Sequence, residues 1–276
     1  MAASTIAEKE IVRVIKVCAY GAQQSFTSTR LHLRDHVRPT PTQQIFLILT
    51  AASLLRLGSW LGGLPDEGRY TETDSADYLI LARNLVSEGR FGVADQPEIF
   101  RTPGYPAFLV PFSVFNFSPA TICLVQIGMD VLICYLVWCV SRRHFGQEAA
   151  RPALVLQAFS LVSVVYACRV LSETLFTLLL LLFLLTLLAT RDTSPTRQWY
   201  LGSASGAILS CTIYVRFVAM PWAISPVLLL LWWRSWRGAL GLVITCLILV
   251  APWLLRNDRV AGFTGFSTVA SVNLYR

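Results

Sequence analysis

Asp74, Asp77, Tyr78, Arg101 and Tyr105 are the residues here best suited to chemistry, and they crowd into a polar stretch that interrupts a very apolar chain. A carboxylate held ionised beside an apolar phase can accept a proton from a poor nucleophile, which is the work of a general base. An arginine nearby suits phosphate, because its planar fork of N–H donors matches phosphate oxygens. From Asp74 to Arg90, Tyr78, Leu81, Leu85 and Val86 recur at three-to-four spacing, while Asp77, Arg83, Glu88 and Arg90 fall elsewhere. That spacing predicts an amphipathic helix on a bilayer surface with Asp74 at its N-terminal end. Free N–H groups and the helix dipole stabilise a carboxylate there, so capping and catalysis are both open to Asp74. Arg101-Thr102-Pro103-Gly104-Tyr105-Pro106 predicts a rigid turn, with prolines fixing φ and Gly104 permitting close backbone approach.

Further charges recur at the edges of apolar runs. Arg169 and Glu173 stand four residues apart, at a spacing that allows an ion pair within one helical turn. Glu173 is equally suited to orient an acceptor or a metal. Arg216 and Arg256 sit at the ends of apolar segments, where arginine ordinarily reaches to the membrane interface. Asp130 is the acid inside an apolar run, with Gln126 one turn before it. Helix–helix hydrogen bonding is its ordinary use and proton coupling the alternative.

These residues need elements to hold them, and the composition says which. The chain is 55% hydrophobic and 14% charged over 276 residues. Soluble domains carry roughly a quarter charged residues. A span requires about 20 apolar residues. Candidate spans are 44–64, which contains Arg56, then 120–140, 152–168, 173–190, 200–215, 217–233 and 238–255. The run 106–117 is too short to cross and reads as interfacial or re-entrant. The fold expected is an all-α polytopic membrane protein with about seven transmembrane helices and an interfacial helical loop after the first.

The net charge of +7 is not a nucleic-acid footprint, because only Lys9 and Lys16 are lysines and the arginines scatter along segment ends. Read as topology, the charge puts the N-terminus in the cytoplasm. A cytoplasmic tail (1–43) then precedes the transmembrane domain (44–276), whose first outer loop is 65–105. Asp74, Asp77, Arg101, Arg169, Glu173, Arg216 and Arg256 all fall on the outer side. The seven cysteines lie mostly in apolar runs without metal-ligand spacing, and no GxGxxG, P-loop, HExxH or CxxC occurs. No cleavable signal peptide is visible.

The sequence Asp74-x-x-x-Tyr78-x-x-x-Ala82-Arg83-Asn84-Leu85, then Gly89-Arg90-Phe91-Gly92 and Arg101 through Pro106, resembles the first outer loop of bacterial membrane glycosyltransferases of the dolichyl-phosphate-mannose protein mannosyltransferase type. The aminoarabinose transferases of lipid A share that superfamily, the GT-C fold. Leu171-Ser172-Glu173-Thr174-Leu175-Phe176, Tyr214-Val215-Arg216-Phe217 and Ala251-Pro252-Trp253-Leu254-Leu255-Arg256-Asn257 through Gly262 also fit, in order. The resemblance covers about residues 44–276. It implies a polyprenyl-phosphate-linked sugar donor, a lipid, glycan or protein acceptor, and transfer with inversion on the outer face of the cell inner (plasma) membrane. The family's general base falls on Asp74. Arg101, Arg169, Arg216 and Arg256 are the cations available for the leaving phosphate, with Asp77, Tyr78, Tyr105 and Glu173 as further substrate-binding residues. No metal is assigned, and a divalent ion stays open as a cofactor. Family members run to eleven or more spans, so the expectation is an N-terminal part of the fold with the C-terminal part absent. The alternatives are a transporter or flippase subunit and a non-catalytic truncated family member; membrane lipids are partners in every case, nucleic acid in none.

Overall fold

The computed structural model describes residues 40–94, 96–191 and 193–269. Most of residues 1–43, the segment expected to be a cytoplasmic tail, and the end of the chain at 270–276 lie outside the described residues. Helix α1 (Pro41–Leu61) leads through a 3-10 turn (Glu67–Tyr70) to α2 (Thr73–Ser87). A two-residue hairpin follows, β1 (Gly92–Val93) against β2 (Gln96–Pro97), antiparallel, with Gly92 opposite Pro97. Then come α3 (Gly104–Val114), α4 (Pro119–Phe145), α5 (Gln147–Ala158), α6 (Leu161–Ala167), α7 (Glu173–Ala189) and α8 (Pro195–Val215). Two 3-10 turns (Phe217–Ala219 and Pro221–Ala223) precede α9 (Ile224–Trp232) and α10 (Trp236–Ala261).

Among the described residues each expected apolar span is built of helix, and the protein is a mostly helical membrane protein. Three helices among the described residues are long and apolar enough to cross a bilayer: α1, α4 and α10. The pair α5 and α6 makes a fourth if its 52° bend is counted within one span. The other segments fall short of the sequence expectation for separate reasons. Helix α7 has 17 residues, about 26 Å at 1.5 Å per residue, against a hydrocarbon core of about 30 Å. The stretch Phe217–Trp232 is shorter still and is interrupted at Pro221. Helix α8 is long enough at 21 residues, but Arg197, Gln198, Ser203 and Ser205 dilute its apolar character. Helix α3, with 11 residues, is the short segment predicted not to cross.

The bend between α5 and α6 exposes helix-end carbonyls inside apolar surroundings, where an unsatisfied backbone group is costly. Arg56 of α1 meets that demand. It is fully buried, donates to the carbonyl of Ala158 at 2.8 Å and to Ala52 at 3.0 Å, and pairs with Asp130 of α4 at 2.6 Å. The residue that looks like a flaw in the first span is therefore the fastener of three helices. Asp130 takes the helix–helix hydrogen bonding expected of it, accepting from Arg56 Nε as that arginine's counter-ion.

Helices α8 and α10 approach backbone to backbone. A Cβ placed on Gly202 would fall 2.2 Å from the carbonyl oxygen of Gly238, and one on Gly206 would fall 2.5 Å from that of Leu242. Glycines four apart on one face allow this contact between membrane helices. A second packed layer (Tyr70, Tyr78, Tyr105, Leu109, Ile122, Val170 and Val215) joins α2, α3, α4, the end of α8 and the non-helical segment between α6 and α7. The charged residues sit on this layer.

Candidate active site

Ser75, rather than Asp74, organises the start of α2. Its Oγ accepts from the backbone N–H of Glu72 at 2.8 Å and donates to the carbonyl of Val170 at 2.8 Å. Docked in this way, the helix leaves Asp74 free of capping, half exposed, one residue into its first turn. Asp74 turns to Arg101, whose guanidinium donates to Asp74 Oδ1 at 2.6 Å and to Asp77 Oδ2 at 3.0 Å through the same Nη2, and to Asp77 again through Nε at 3.3 Å. The guanidinium also lies against the rings of Tyr78 and Phe100, 5.4 and 5.1 Å from their centroids. Burial works to lower the Arg101 pKa. Hydrogen bonding and charge from Asp74, aided by Tyr78 and Asp77, outweigh burial and hold the pKa above the ordinary arginine value.

The loop carrying Arg101 is fixed from three sides. Glu98 Oε1 accepts the backbone N–H of Arg101 at 3.0 Å. Thr102 Oγ1 donates to the carbonyl of Val215, at the end of α8, at 2.9 Å. Gly104 lies so close to α8 that a Cβ there would come within 2.5 Å of the Tyr214 carbonyl carbon. From the other side, Ser267 Oγ donates to the carbonyl of Phe100 at 2.6 Å, and the Thr268 N–H donates to that of Ile99 at 3.0 Å. The Pro-Gly turn is thereby pinned beside the first residue after α8, which is Arg216.

Arg216 pairs with Glu173 at the start of α7, and its Nη1 lies 3.3 Å from Ser172 Oγ. Arg169 does not pair with Glu173 across a helical turn, because residues 168–172 are not helical; its partner is Glu72. The second oxygen of Glu173, Oε2, is buried without a hydrogen-bond partner. Arg256 spans the hairpin, donating to the carbonyls of Glu98 at 2.6 Å and Phe91 at 2.8 Å with Trp253 beneath it at 4.8 Å. Arg256 thus bears on Arg101 through the Glu98 loop. Tyr105 is fully buried behind Tyr78, ring to ring at 4.9 Å, and its hydroxyl donates to Gln126.

Asp74, Tyr78, Arg101, Thr102 and Arg216 share the lining of one cleft of about 420 Å³, walled on its apolar side by Val215, Phe217, Val218 and Pro221. Of the residues singled out by sequence, Asp74, Tyr78, Arg101 and Arg216 meet there. Asp77 and Glu173 stand behind the two arginines as their counter-ions, and Tyr105 and Arg256 support from behind. Arg169 lines a separate cavity. The sequence reading misses Glu72, Glu98 and Ser75, short polar residues whose spacing carries no signal. It also misses the Gly202-x-x-x-Gly206 face, which a search for small residues four apart would have found. Among the described residues, no set of three His, Cys, Asp or Glu side chains is arranged to hold a metal ion.

A carboxylate and two arginines in a cleft with an apolar wall make an arrangement that can bind a phosphate attached to a lipid and accept a proton from a hydroxyl. The family model for dolichyl-phosphate-mannose-protein mannosyltransferase matches residues 102–255, more than half of the chain. The match contains Tyr105, Arg169, Glu173 and Arg216; Asp74, Asp77, Tyr78 and Arg101 precede it and Arg256 follows it. Neither a curated protein nor a solved structure matches the chain. The family implies, in general, glycosyl transfer from a polyprenyl-phosphate-linked sugar to a glycan or protein. The chain belongs to the dolichyl-phosphate-mannose-protein mannosyltransferase family.

Proposed function

We propose that this protein transfers a sugar from a polyprenyl-phosphate donor to an acceptor hydroxyl on the outer face of the membrane, with inversion and with Asp74 as general base. The observation that carries the reading is the joint exposure of Asp74, Arg101 and Arg216 in one cleft. In the step envisaged, the acceptor oxygen attacks the anomeric carbon as the bond from that carbon to the donor phosphate breaks. The acceptor proton passes to the Asp74 carboxylate and the phosphate leaves with its bonding pair. Charge builds on the phosphate, where Arg101 and Arg216 are preorganised to meet it. A single displacement inverts the centre. Arg101 engages only one oxygen of Asp74, so the other is available to the acceptor.

The finer topology belongs to the same proposal: all seven apolar segments cross or nearly cross, alternating in direction, with the N-terminus in the cytoplasm of a cell bounded by its inner (plasma) membrane. The first test is transfer of labelled sugar from polyprenyl-phosphate donors in membranes carrying the chain or its Asp74→Asn variant. Loss of a general base lowers rates by about 10²- to 10⁴-fold. A fall of that size at unchanged expression is expected. Equal rates in both would remove Asp74 from the reaction, and no transfer by the unaltered chain from any polyprenyl-phosphate sugar would sink the enzyme reading.

A further inference from the structure

A second cavity, of about 270 Å³, lies between the end of α1 and α6, with Arg69 and Arg169 among its lining residues. Its walls are unlike those of the cleft. Gly58 of α1 and Gly62 just past its end present bare backbone, and Val165 faces them from α6. A Cβ on Gly58 would meet nothing within 4 Å, so glycine there leaves a groove open rather than allowing close packing. Leu54, Leu61, Leu161 and Val162 are exposed on the flanking helix surfaces, which in a membrane protein face hydrocarbon. The cavity therefore has an apolar approach from the bilayer and two guanidiniums at the end where the first span stops.

The arginines are engaged there, but not saturated. Arg69 donates to the Gly62 carbonyl at 3.1 Å and faces Asp66 at 3.8 Å, a distant pair between side chains that are two-thirds exposed. Such a pair contributes little and yields readily. Arg169 pairs with Glu72. Each guanidinium has five N–H donors, and these contacts use only part of them.

We propose that this groove binds a phosphate ester carried on a lipid chain, the phosphate at Arg69 and Arg169 and the chain along Gly58 and Val165. Basic pockets between membrane helices bind lipid phosphates by this combination of charge and apolar wall. The site is separate from the cleft and does not depend on the transfer reaction: none of its lining residues is among those lining the cleft.

The test uses the full chain purified in detergent and native mass spectrometry, with phosphatidylglycerol, a polyprenyl phosphate or inorganic phosphate added. Two variants probe the groove. Arg69→Gln with Arg169→Gln removes the cations, and Gly58→Leu fills open space that holds no packing contact. At least a tenfold drop in retention of a lipid phosphate in both variants is expected. A drop confined to phosphatidylglycerol would identify a membrane phospholipid as occupant, and one confined to polyprenyl phosphate would identify the carrier. Equal retention in all three proteins, or competition by inorganic phosphate as effective as by the lipids, would overturn the proposal. Because Gly58→Leu leaves both arginines in place, a fold defect in the arginine variant cannot imitate the result.

Discussion

Arg101 and Arg56 show how differently an arginine–aspartate pair behaves at a surface and in a core. Arg101 bridges two half-exposed carboxylates at the rim of a cleft, where water screens the pair and an incoming phosphate can compete for the guanidinium. Arg56 and Asp130 are 0% and 4% exposed, and each has given up its hydration to the other. Removing one partner of such a pair strands the second charge, at a cost of about 3–5 kcal/mol. Asp130→Ala should therefore lower the thermal midpoint sharply in detergent. Replacing both residues together, Arg56→Met with Asp130→Leu, should recover part of that loss but not all. The carbonyl of Ala158 at the bend would still lack its donor. A midpoint unchanged in Asp130→Ala would show that the pair carries no net stability.

Among the elements, the short turn from Arg101 to Gly104 determines whether a site exists. It lies far from α8 in sequence, yet it is stitched to the last residues of that helix by Thr102 and by the close approach of Gly104. A methyl group there cannot be absorbed by a side-chain rotation, because the clash is with backbone atoms of Tyr214 and Val215. Gly104→Ala should push the turn away from Arg216, open the cleft and lower sugar transfer by at least tenfold. The effect on melting should be much smaller, since the helices beneath do not depend on the turn. Measuring rate and melting midpoint on one preparation separates the two effects. Equal transfer by variant and parent would mean the approach is not needed for the site.

At the scale of the whole molecule, the charged residues converge because helices that alternate in direction return to one end. The start of α2, the start of α7 and the ends of α8 and α10 are tied together there by the contacts of Ser75, Arg216 and Arg256. The proposed outward orientation of that end makes a direct prediction. In a background without native cysteines, single cysteines at Arg90 and Thr193 should label oppositely with a membrane-impermeant thiol reagent on intact cells. Position 90 should react and position 193 should not; the reverse pattern would turn the site to the cytoplasm.

Much of this protein is legible in its sequence. Apolar runs are a one-dimensional record of burial in lipid, so the helices and the membrane class follow from composition and length alone. The loop with Asp74 and Arg101 stands out for the same reason, since charge next to such runs is costly and must be held. Pairing is not recorded in this way. Whether Arg169 meets Glu173 four residues away or Glu72 on another element depends on the unwound backbone at 168–172, and nothing local announces it. Arg56 looks like a defect in a span until Asp130 and the broken helix are brought beside it. Partner choice among distant charges is decided by which helix ends the packing brings together, so the ion pairs, the shape of the cleft and the separation of Arg169 from it belong to the tertiary structure.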